Sequence, residues 1–110
     1  MTQRVLVVDD DEVTRSAIVG LLSGEGCVVD ACEDGEQALA RLRSGSYDVL
    51  LTDQVMPRMS GIELVASAKV LSSGLRCLVM SGRARPEGAT GVVWISKPID
   101  VDALLEHVLA

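Results

Sequence analysis

Carboxylates, a hydroxyl and an ammonium sit at four places in this chain where an apolar run stops. Asp9 and Asp10 follow RVLVV, Asp53 follows DVLLT, Ser81 follows RCLVM, and Lys97 follows VVWIS. Parallel sheets bind ligands beyond the carboxyl ends of their strands, so these four ends describe one site. The chemistry they suit is phosphoryl transfer. Asp9, Asp10, Asp11 and Glu12 form a run of four acids. Any one of them can cap a helix, but a cap needs only one. Packed like charges call for a cation, and a hard divalent ion with oxygen ligands, Mg²⁺ above all, is the natural occupant.

Asp53 by itself reads equally as a turn or cap residue. In a sheet of order 2-1-3-4-5 the first and third strands are neighbours, about 4.8 Å apart. Asp9 or Asp10 can then share one ion with Asp53. A carboxylate attacks phosphorus to give an aspartyl phosphate, and a metal screens the repulsion between the two anions. Lys97 and Ser81, each an ordinary loop residue when taken singly, supply the cation and the donor that charge spreading over phosphoryl oxygens requires. The Lys97-Pro98 bond belongs to the one common class of cis peptide, and a cis bond here would aim the lysine inward.

The elements that position these residues follow from the apolar pattern. Short β-rich runs at about 4–8, 27–32, 48–52, 76–80 and 92–96 read as buried parallel strands. Helical periods lie between them. Around 11–23, Val13, Ala17, Ile18, Leu21 and Leu22 share a face, with Gly24 and Gly26 as stops. Around 34–44, Asp34 and Gln37 pair as a cap, Ala38, Leu39 and Leu42 face inward, and Gly45 ends the helix. Ser60 and Glu63 form a capping box for a helix running to Ser73-Gly74. A last helix starts near Asp100, with Val101, Leu104, Leu105 and Val108 on one face. Alternating strands and helices predict a doubly wound α/β domain, with a five-stranded parallel sheet covered on both faces. Residues 1–110 are expected to form one domain.

One connection breaks the alternation. Between Ser81 and the strand at Val92 lie ten residues, GRARPEGATG, with three glycines and a proline. A crossover with its helix needs at least ~10–12 residues, and glycine and proline are the poorest helix formers. The fourth crossover helix is therefore expected to be missing or reduced to about one turn. Its loss is expected to leave apolar sheet surface near Leu78, Met80 and Val93 or Trp94 less covered, and such a patch marks an interface.

Composition narrows the function classes. The 110 residues are 48% hydrophobic and 24% charged, with one Trp, one Tyr and no Phe, so the core is aliphatic. A net charge of -6 argues against general nucleic-acid binding. No apolar run approaches the ~20 residues of a membrane span, and no signal peptide opens the chain, so a cytoplasmic location is expected. Cys27, Cys32 and Cys77 have no metal-ligand spacing and read as reduced, mostly buried residues. His107, beside Glu106 on the last helix, reads as a solvated helix residue. A flavin or dinucleotide binder would carry glycines where this chain has DDDE. A phosphatase would need a second acid or base near its nucleophile, and QVMPRMSG supplies none.

VLVVDDDE at 5–12, LLTDQVMPRMSGIEL at 50–64, LVMSG at 78–82 and ISKPID at 95–100 together resemble the response-regulator receiver domain of two-component signalling. The resemblance covers nearly the whole chain, and it implies a chemotaxis-type receiver fold with flavodoxin-like strand order. It also implies that Asp53 accepts a phosphoryl group from the phosphohistidine of a sensor histidine kinase or phosphotransfer protein. Asp9, Asp10 and the backbone carbonyl of Val55 match the Mg²⁺ ligands. Ser81 matches the hydroxyl that follows the phosphoryl group, and Lys97 the lysine that pairs with it. Trp94 occupies the place of the usual Phe or Tyr switch. Val55 and Arg83 occupy the two positions that set phosphoryl lifetime in this family, and slow self-dephosphorylation is the expectation. Such a domain acts on its own aspartate rather than turning over a metabolite. Its output is a downstream protein partner or, with the fourth helix lost, a homodimer of non-standard geometry. The rival reading is a receiver-like module that binds proteins without phosphorylation.

Overall fold

The computed structural model describes residues 2–110. Five strands, β1 (Arg4–Val8), β2 (Val28–Cys32), β3 (Val49–Asp53), β4 (Arg76–Ser81) and β5 (Val93–Ser96), form one parallel sheet in the order β2-β1-β3-β4-β5. Four helices connect and flank them: α1 (Glu12–Gly24), α2 (Gly35–Ser44), α3 (Gly61–Leu71) and α4 (Val101–Leu109). β3 lies between β1 and β4 and is buried along its whole length, which is why its apolar run shows no alternation. Each helix begins at a side chain that accepts a backbone N–H: Asp11, Asp34, Ser60 and Asp100. The capping box of Ser60 and Glu63 is complete, with both reciprocal bonds present. The helix it opens stops at Leu71, capped by Ser72, just short of Ser73-Gly74.

The sheet divides two aliphatic cores. Leu6, Val8, Leu50, Cys77 and Val79 pack toward α2 and α3 with Leu39, Leu42, Leu64 and Val65. Val5, Val7, Leu51, Leu78 and Met80 pack toward α1 and α4 with Ile18, Leu22, Leu104 and Val108. All three cysteines are free and buried.

No helix joins β4 to β5. Residues 82–92 form an irregular strap instead, with positive φ at Gly88 and Gly91, a conformation that suits glycine. The apolar surface expected to lie open beside this strap does not. Leu78 and Met80 are fully buried and Val93 packs with them, because successive strand side chains point to opposite faces and theirs point toward α1 and α4. The face that lacks its helix carries Cys77, Val79 and Trp94, and Val92 from the end of the strap closes over it. Only Trp94 is left half-buried there. A second departure lies on α1, where Val13 is 77% exposed and Ala17 is also exposed; Ile18 and Leu22 alone are fully inward.

Among the described residues, no helix is long and apolar enough to cross a membrane.

Candidate functional site

The carboxyl ends of β1 and β3 bring three acids together. One carboxylate oxygen from each of Asp9, Asp10 and Asp53 lies within 4.8 Å of the others. Asp9 is 1% exposed and Asp53 8%, whereas Asp10 faces solvent. Asp9 is held firmly: its N–H donates to the Cys32 carbonyl at 3.2 Å, and its Oδ1 accepts the Asp11 N–H at 3.0 Å. Its Oδ2 is buried and has no hydrogen-bond partner. Burial raises the Asp9 pKa, the Asp11 N–H opposes the rise, and the charges of Asp53 and Asp10 add to it. A buried acceptor without a donor, among like charges, is the arrangement a cation relieves. The residues present therefore fit a hard divalent ion with oxygen ligands.

Lys97 reaches across from the end of β5. Its Nζ donates to Asp53 Oδ1 at 2.8 Å, and the Lys97 side chain is about one-third exposed. Burial works against its charge, but the Asp53 hydrogen bond and the charges of Asp53, Asp9 and Asp10 outweigh it, so its pKa is raised. The Lys97-Pro98 bond is cis. The Lys97 N–H also donates to the Ser81 carbonyl at 2.8 Å, which ties the end of β5 to the end of β4.

Ser81 ends β4 and is 2% exposed. Its Oγ accepts the Arg83 N–H at 3.0 Å, and the Arg83 carbonyl accepts the indole N–H of Trp94 at 2.9 Å. Arg83 thus meets Ser81 through its backbone N–H and Trp94 through its backbone carbonyl. The rest of the strap is held by Lys69 Nζ, which donates to the Gly91 carbonyl at 2.5 Å, and by Arg85, which donates to the Ala89 carbonyl. Val55 lies in the loop after β3, its side chain turned to solvent.

Several residues that shape the site carried no chemical signature in the sequence. Gly61 opens α3 directly against Asp53: a Cβ there would lie 2.6 Å from the Asp53 carbonyl oxygen. Gln54 braces the same junction, its Oε1 accepting the Ile62 N–H at 2.9 Å. Arg58, at φ +69°, pairs with Asp34 at 3.0 Å and links the loop after β3 to the start of α2. Arg15 Nη1 donates to the Asp9 carbonyl at 2.8 Å. Gly61 alone left a trace in the sequence, since glycine is a poor choice for a helix's first turn unless something lies against it.

Comparison with known proteins agrees with this architecture. The response regulator MprA of Mycobacterium ulcerans is 32% identical over an alignment of 116 positions, covering 100% of this chain and 50% of that protein. The gliding motility regulatory protein of Myxococcus xanthus is 34% identical over 86 residues, 76% of this chain and 11% of that protein. The chain therefore spans about half the length of MprA. Among solved structures, the receiver domain of the hybrid histidine kinase CckA superposes with a TM-score of 0.85 at 33% identity, covering 96% of this chain and 95% of that one. The chemotaxis response regulator CheY4 of Vibrio cholerae gives 0.89 at 26% identity, with 99% and 98% covered. TrrA of Thermotoga maritima, solved in complex with Mg²⁺-BeF, gives 0.90 at 28% identity, with 98% and 97% covered. The family model of the response regulator receiver domain matches residues 5–109, and the chain belongs to that family.

Proposed function

We propose that this receiver domain accepts a phosphoryl group on Asp53 in a Mg²⁺-dependent reaction. The observation that carries the proposal is the Asp53 carboxylate itself, 2.8 Å from Lys97 and grouped with Asp9 and Asp10. The donor is the phosphohistidine of a sensor histidine kinase or phosphotransfer protein. An Asp53 oxygen attacks phosphorus, the new P–O bond forms as the P–N bond to imidazole breaks, and the released imidazole takes up a proton. A Mg²⁺ ion held by Asp9, Asp10, Asp53 and the Val55 carbonyl would screen the approach of anion to anion. Lys97 passes from the Asp53 carboxylate to an oxygen of the phosphoryl group, and Ser81 turns its hydroxyl toward another. The reaction modifies the protein's own side chain, and hydrolysis of the acyl phosphate by water resets it. The full set of Asp9, Asp10, Asp53, Ser81 and Lys97 favours this reading over a module that binds partners without phosphorylation.

The output follows the Ser81 hydroxyl. Turning it toward the phosphoryl group takes the acceptor from the Arg83 N–H, and Arg83 in turn holds Trp94. Trp94 and the strap are then the surface that changes for a downstream protein. A second copy of the chain, in a dimer of non-standard geometry, is the other occupant of this flank; a strict monomer by light scattering at high concentration would leave the heterologous partner. Arg83 beside the site and the apolar Val55 are the residues that would prolong the phosphoryl group's lifetime.

Trp94 is the only tryptophan, so its fluorescence reports the switch directly. Adding Mg²⁺ and then acetyl phosphate is expected to change its emission in the wild type and not in Asp53→Asn. An emission change retained in the mutant would refute the coupling from Asp53 to Trp94.

A further inference from the structure

We propose that Arg15 is a positioning residue that sets the geometry of the metal ligand Asp9; the inference rests on the metal-site reading above. Three bonds fix Asp9. Its N–H is bound to the Cys32 carbonyl on β2, its Oδ1 to the Asp11 N–H, and its own carbonyl to Arg15 Nη1 at 2.8 Å. The one group left over is the buried Oδ2, beside Asp10 and Asp53. Arg15 can make its bond because helix side chains lean toward the N-terminus. From the first turn of α1 the partly buried guanidinium reaches back six residues, across the turn that carries Asp10 and Asp11. Asp11 caps the same helix through the Thr14 N–H and hydroxyl. The β1–α1 turn is thus clamped at both ends, by the cap and by Arg15.

The sign of the effect separates geometry from charge. A fixed cation beside a divalent-ion site repels the ion, so removing a purely electrostatic Arg15 would tighten Mg²⁺ binding. Removing a clamp loosens it, because groups that orient metal ligands typically contribute about 10- to 100-fold in affinity.

Mg²⁺ dissociation constants by calorimetry, for wild type, Arg15→Met and Arg15→Lys, test the inference, with far-UV circular dichroism to establish that each variant is folded. Arg15→Met is expected to bind Mg²⁺ about tenfold more weakly, and Arg15→Lys, which keeps a donor and the charge, to recover part of the loss. Affinity in folded Arg15→Met that equals or exceeds the wild type would overturn the positioning role while leaving the metal site standing. Should Arg15→Met not fold, Arg15→Lys decides: binding weaker than wild type supports the clamp, and equal or tighter binding refutes it. A wild-type protein that binds no Mg²⁺ would refute the metal-site reading itself.

Discussion

Asp9 is the single side chain through which the proposed metal binding would be linked to folding. Its carboxylate is buried, crowded by Asp10 and Asp53, and partnered on one oxygen only. Folding therefore raises its pKa above the ordinary 3.8. The native chain then holds this proton more tightly than the unfolded chain, so stability from this group falls as pH rises from 3.8 through the raised value. The proposed divalent ion would bind the ionised form and stabilise the native state by mass action. Excess Mg²⁺ is expected to raise the melting temperature clearly at pH 7 and little at pH 4. Equal shifts at the two pH values would contradict the assignment of Asp9. The neighbouring Gly61 makes a second residue-level prediction. A methyl group there meets the Asp53 carbonyl at 2.6 Å. Gly61→Ala is expected to lose about 1–3 kcal/mol in urea unfolding and to slow phosphorylation by displacing Asp53.

At the scale of elements, the strap between β4 and β5 is the one connection between consecutive strands that carries no helix. Its sequence, GRARPEGATG, predicts a helix missing or reduced to about one turn, and the structure has none. What the strap does instead was not legible, because it depends on contacts from distant residues: Lys69 on α3 and the indole N–H on β5. The site residues themselves were easy to read, since a polar residue that ends an apolar run has few places to be but the rim of the sheet. The facing of strand residues was harder. Fully buried strands show no alternation, so nothing in RCLVMS says that Leu78 and Met80 turn toward α1 and α4 while Cys77 and Val79 face the strap. Val13 misled for a related reason: it fits the apolar period of α1 but lines an open groove with Ile99 and Val101 at the start of α4, and it is exposed. A mutational test belongs to this scale. Ser81→Ala removes the acceptor of the Arg83 N–H, a bond contributing about 1 kcal/mol net, or about fivefold in the open population of the strap. Tryptic cleavage after Arg83 is expected to quicken several-fold in that variant. An unchanged rate would show that the strap is held without Ser81.

Across the whole molecule, the central strand β3 carries Asp53 into the middle of the sheet, between the acids of β1 and the hydroxyl of β4, while edge strand β5 returns Lys97. Two aliphatic cores on either side fix those strands in register. The chain spans about half of a curated relative such as MprA. The receiver domain occupies residues 5–109, and the chemistry proposed for it converges on the Asp53 carboxylate. Intact mass spectrometry after incubation with Mg²⁺ and acetyl phosphate tests that claim most directly. One phosphoryl group is expected on the wild type, none on Asp53→Asn, and none on the wild type when the metal is chelated. A phosphoryl group of equal occupancy on Asp53→Asn would contradict the assignment of Asp53 as the acceptor.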